Sequence, residues 1–146
     1  MPKFPSVEWF EAVGRRVADE RERFKHLGYV DANVGVKVGT GGAAKGYLLE
    51  FAGYGVRRVR EVADPAQLAD FTIEGRLDDW KNMIENIRDH GEPDLGHTLN
   101  RLTMAGTPMQ VVAKDQLQVD LFYRFNQSIQ AFFNEAAGVT TEFSAS

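Results

Sequence analysis

Residues 117–136, LQVDLFYRFNQSIQAFFNEA, constrain the fold of this chain more than any other stretch. Leu117, Leu121, Phe122, Phe125, Ile129, Phe132 and Phe133 recur at helical spacing and form a wide apolar stripe. Asp120, Arg124, Asn126, Gln127, Gln130 and Asn134 lie mostly off it. Each large apolar side chain contributes roughly 1.5–3 kcal/mol only when it leaves water. Ordering each residue costs about 1–2 kcal/mol for the backbone alone. A helix of this kind does not stand free. It must dock on a sheet, a ligand or a partner.

The sheet is written upstream. Val30, Ala32, Val34, Val36 and Val38 alternate with Asp31, Asn33, Gly35, Lys37 and Gly39, one apolar face against one polar face. Tyr47, Leu49 and Phe51 mark a second strand. Gly53-Tyr54-Gly55 turns the chain into a third at Val56–Val62, and Ala69, Phe71 and Ile73 mark a fourth. A short strand is expected within Leu102–Met109, where Pro108 points to a sheet edge. Helical spacing predicts one amphipathic helix over Ser6–Leu27. A second begins after Gly75 on Trp80, Met83, Ile84 and Ile87 and stops at Gly91. Asp94 is a candidate cap for a short helix through Leu95, Leu99 and Leu102. One-sided strands with helices gathered on a single face describe an α+β layer fold.

The glycine-rich stretch KVGTGGAAKG, residues 37–46, poses a separate question. Gly39 to Ala44 matches G-x-G-x-x-A, a dinucleotide fingerprint. That fingerprint needs a helix after the glycines, with its N-terminus on the pyrophosphate. Here Tyr47, Leu49 and Phe51 alternate instead, so a wide hairpin turn is the better reading. The Walker version fails as well, since Ala44 and Gly46 stand where a glycine and a Ser/Thr belong.

Few residues are equipped for chemistry. With no cysteine the chain has no disulfide, no thiolate nucleophile and no Cys-based zinc site. His26, His90 and His97 are its histidines; the H-x6-H spacing of the last two matches no metal motif, and a solvated loop is expected there. The net charge of −4 argues against nucleic-acid binding. Arg57, Arg58 and Arg60 make a local basic strip on the third strand. No segment reaches the ~18 apolar residues of a membrane span, so a cytoplasmic chain without stable membrane insertion is expected.

ADFTIEGRLDDWKNMIEN, residues 69–86, resembles the central signature of the sterol carrier protein type two family, the nonspecific lipid-transfer domain. Ala69, Asp70, Thr72 and Ile73 match the strand of that signature; Asp78, Asp79 and Trp80 match its helix start. PDLGHTLNRLTMAGT looks like the family's short helix, loop and strand. The resemblance implies a single five-stranded, mostly antiparallel sheet covered by helices. It also implies an apolar tunnel for a sterol, fatty acid or acyl-CoA, bound without catalysis, with no cofactor, metal or catalytic residue. The expected domain is 1–137, followed by a flexible tail at 138–146. The lining expected for the tunnel is Phe71, Ile73, Trp80, Ile84, Leu99, Leu102, Met104, Leu121, Phe125, Ile129 and Phe132, residues equally suited to a plain core. Two other readings stay open. One is a small enzyme on an apolar substrate using Asp70, His97 or Tyr47; the other is a homo-oligomer or accessory subunit joined through the apolar helix.

Overall fold

The computed structural model describes residues 2–28, 30–40, 42–103 and 108–143. Its elements in chain order are β1 (Lys3–Phe4), α1 (Val7–Asp19), α2 (Arg21–Lys25), β2 (Ala32–Thr40), β3 (Ala43–Ala52), β4 (Gly55–Val62), β5 (Phe71–Arg76), α3 (Leu77–His90), α4 (Leu99–Leu102), β6 (Gln110–Val112), α5 (Gln116–Asn134) and β7 (Glu142–Phe143). Among the described residues the main sheet has five strands in the order β4-β3-β2-β5-β6. Its neighbours pair antiparallel except β2 with β5, which run parallel. The expected α+β sheet is therefore present, and it is mixed.

The strand alternation works as the sequence suggests. Val34, Val36 and Val38 of β2, Tyr47, Leu49 and Phe51 of β3, and Phe71 and Ile73 of β5 share one face and are buried. That face packs under α1, α3 and α5. Among the described residues, the turn at Pro65–Gln67 crosses the opposite face. Gly35 and Gly46 make that crossing possible. A Cβ on Gly35 would lie 3.0 Å from the Pro65 Cβ, and one on Gly46 would lie 2.5 Å from the Pro65 Cδ. Chain from β4 thus reaches the far side of β2 and enters β5 parallel to it.

Several expectations need correction. The helix expected over Ser6–Leu27 is two helices that break at Glu20. Ala18 to Arg23 holds no large apolar side chain to pin a turn to the sheet, and only Phe24 re-enters the core. The short strand lies at Gln110–Val112 rather than within Leu102–Met109; it is the expected sheet edge. The short helix is capped by Thr98, not Asp94, which instead holds the Gly96 and His97 loop. Of the tail expected to be loose, part lies against the core. Val139 and Thr141 are buried, Trp9 Nε1 donates to Thr141 Oγ1 at 2.9 Å, and β7 pairs with β1. Residues 144–146 of that tail lie outside the described residues.

The glycine-rich stretch is the β2–β3 hairpin, with no helix after it. The ladder closes at Thr40 opposite Ala43, which makes the turn tight rather than wide. Gly42 takes φ +92°, a conformation costly for other residues; Gly41 lies outside the described residues.

Candidate ligand-binding site

An aromatic layer fills the space between sheet and helices. Phe4, Trp9, Phe10, Trp80 and Phe133 contact one another at ring-centroid distances from 4.8 to 6.4 Å. Phe10 extends it to Tyr47, and Phe132 to Phe51. Offset and edge-on ring pairs of this sort each add about 0.5–1.5 kcal/mol beyond area burial.

The expected lining divides along α5. Phe71, Ile73, Trp80, Ile84, Leu99, Ile129 and Phe132 are fully enclosed. Phe71 meets Phe122 at 5.6 Å, and Trp80 Nε1 donates to the Lys37 carbonyl at 3.3 Å. The Leu99 N–H donates to Gln130 Oε1, which fixes α4 on α5. Leu102, Leu121 and Phe125 are only partly buried, packed against the margin of the core. Met104 lies outside the described residues.

The result is a helix with two unlike halves. From Ser128 onward α5 is locked, with Ser128, Ile129, Ala131, Phe132 and Phe133 buried. Before it, Phe122 alone is buried, while Leu117 is 74% and Tyr123 51% exposed. Asp115 caps the helix by accepting from the Gln118 N–H. The N-terminal half is therefore well formed but weakly held.

The sequence pattern missed several residues of the layer. Phe4 and Trp9 enter it through the β1–β7 pairing and the Thr141 bond, contacts between chain ends that no local period reveals. Tyr47 was legible as a strand residue. Burial first, then the Glu61 and Glu8 carboxylates, push its phenol well above the usual range.

Asp70, Tyr47 and His97 are not brought together. Asp70 accepts from the Asn33 N–H at 2.8 Å and so joins the starts of β2 and β5. Tyr47 lies under α1 against Phe10. His97 pairs with Asp94 at 2.6 Å in the loop before α4, and the imidazole holds the Asp94 carboxyl below its ordinary range. His90 bonds the Asn86 carbonyl on its own helix. Among the described residues no three His, Asp or Glu side chains converge to hold a metal ion. No helix of the described residues is long and apolar enough to cross a membrane.

Depressions lie beside α5. A cleft of about 560 Å³ between α2, α4 and α5 is rimmed mainly by Asn126, Gln127, Gln130, Asn134, Asn100 and Arg23. A pocket of about 10 Å³ between Val17, Phe24, Val30, Phe51 and Ser128 is apolar and admits about one water.

A five-stranded mixed sheet with its long helices on one face, closed over an aromatic layer, defines a single-sided α+β domain. The chain has the sterol carrier protein 2 fold. It superposes on a crystal structure of sterol carrier protein 2 with TM-score 0.72 and 17% identity, over 94% of this chain and 100% of that one. A conserved hypothetical protein of Thermus thermophilus, provisionally described as a sterol carrier protein, matches with TM-score 0.69 and 15% identity, over 100% of this chain and 96% of that one. No family model matches the sequence, and no curated protein matches it significantly.

Proposed function

We propose that this chain binds, and carries between sites, a lipid such as a sterol, fatty acid or acyl-CoA, without chemical change. The observation that carries the reading is the asymmetry of α5 within this fold. One half is anchored by Ile129, Phe132 and Phe133, and the other leaves Leu102, Leu121 and Phe125 half-buried beside exposed Leu117. A ligand enters where the interface is least costly to part, between the N-terminal half of α5 and β6. Its tail then runs inward toward Phe71, Phe122 and Ile129. Apolar walls with few polar anchors are the usual chemistry of small-molecule sites. A cytoplasmic setting goes with this reading, as does the chain's lack of cysteine.

Organic extraction of the purified protein, followed by mass spectrometry, is expected to release a lipid. A fluorescent fatty acid should bind and be displaced by it. Leu121→Glu and Phe125→Glu should each weaken that binding by roughly tenfold or more, because a carboxylate at the entrance must be desolvated. A clean extract together with no fluorescent binding would sink the proposal. Light scattering on the same samples tests the competing reading, self-association through Leu117 and Tyr123.

A further inference from the structure

β4 is an edge strand. Among the described residues it pairs only with β3, so one row of its main-chain N–H and C=O groups has no strand beside it. A cleft of about 260 Å³ runs along Val56, Arg57, Arg58 and Val59, with α1 as its other wall. That wall consists of Phe10, Glu11, Gly14, Arg15 and Ala18, one face of the helix. Gly14 brings the helix close: a Cβ there would lie 3.9 Å from the Val56 Cβ. The cleft thus joins an open strand edge, a floor of Phe10, Val56 and Val59, and a basic rim.

The rim decides what fits. Arg15, Arg57 and Arg58 stand on it against Glu11, and Arg57 and Arg58 share the carboxylate of Glu50 on the adjoining strand with Arg60. On the outer side of β4 three arginines, Arg57, Arg58 and Arg60, share the one carboxylate of Glu50, whereas Glu8 and Glu61 lie on the α1 side near Tyr47. An edge strand crowded with like charge repels a second copy of itself, which is one way proteins protect such edges. A strand bearing carboxylates meets the opposite situation. Its main chain completes the ladder, its alternate apolar side chains reach the floor, and its acids meet the arginines.

We propose that the outer edge of β4 and the cleft beside α1 receive an acidic, extended segment of a partner protein by strand addition. This site is on the opposite side of the sheet order from β6 and does not depend on the lipid reading.

The test uses the full-length chain and an acetylated, amidated peptide alternating Val and Glu. Fluorescence anisotropy should show binding, with amide shifts and slowed hydrogen exchange confined to residues 55–62 and the facing turns of α1. The same peptide N-methylated at alternate residues keeps its charge but cannot donate to the ladder, and it should not bind. A Val–Lys peptide should also fail. Arg15→Glu with Arg58→Glu should weaken the acidic peptide by roughly tenfold or more, with the thermal midpoint checked to show that the variant is folded. The wild-type protein with the N-methylated peptide keeps the test valid if it is not. Equal binding of the N-methylated peptide overturns the proposal, as does no binding of the acidic one. Arginine-dependent binding to phosphatidylglycerol vesicles without peptide binding overturns it in favour of a membrane-facing charge patch.

Discussion

Glu50 shows how much one side chain can owe to its neighbours. It projects from the open face of the sheet and lies 2.8 Å from Arg57, 3.8 Å from Arg58 and 3.6 Å from Arg60. The Arg57 hydrogen bond, with the charges of all three arginines, holds its carboxyl below the ordinary value of 4.5. A carboxyl depressed in the folded state stabilises the fold above its unfolded pKa and loses that contribution as pH falls through the folded one. Glu50→Gln should lower the thermal midpoint at neutral pH and flatten its decline below pH 4.5, the ordinary value, read by melting across a pH series. Wild-type and variant curves that stay parallel through the acid range would refute this role. Thr141 is a second such position. Thr141→Val leaves the buried Trp9 indole Nε1–H without an acceptor and should cost about 1–3 kcal/mol in denaturant unfolding. A loss indistinguishable from zero would show that the bond is not needed.

At the scale of elements, the two halves of α5 allow the proposed lipid binding to be tested separately from stability. Phe132 is enclosed and stacks edge-on against Phe51 and Phe133. Phe132→Ala should therefore cost about 3–5 kcal/mol through lost transfer energy and a residual cavity. Leu121 is half-buried on the core margin, so Leu121→Ala should cost roughly 1 kcal/mol, scaled down from a fully buried leucine. The same two variants, compared for displacement of a fluorescent fatty acid, should rank by location rather than by stability. Leu121→Ala should impair binding more than its small stability loss implies. If the two effects track each other, the helix acts as a single packed unit and the entrance lies elsewhere. Hydrogen exchange should separate the halves too, faster before Ser128 than after it, because fewer buried contacts resist local opening.

Across the whole molecule, the chain ends are joined. β1 and β7 pair in parallel, Phe4 meets Phe143 at 6.1 Å, and Glu135 is held near Arg16 and Arg23, both at 3.5 Å. Gly138 allows the Arg16 guanidinium to lie across the backbone, since a Cβ there would fall 2.0 Å from its Cζ. Removing residues 139–146 strips cover from Trp9 and Phe4, and should lower the melting temperature by several degrees, at about 2–4 °C per kcal/mol for a chain of this size. An unchanged melting temperature would mean that this segment adds nothing to the core beneath it.

The strands from Val34 to Ile73 were legible because a one-sided sheet forces strict alternation, and α3 and α5 because their apolar spacing has no other use. The hairpin at Gly42 was also legible, since the residues after it alternate where a phosphate site needs a helix. The break at Glu20 and the place of β6 were not, because weakly patterned segments take their form from what they pack against. The sequence by itself determined an α+β layer with one apolar helix that had to be covered. Only the tertiary structure decided that Phe132 is enclosed while Leu121 and Phe125 stay partly buried. Burial along a helix depends on where the sheet ends beneath it, and a helical period carries no record of that.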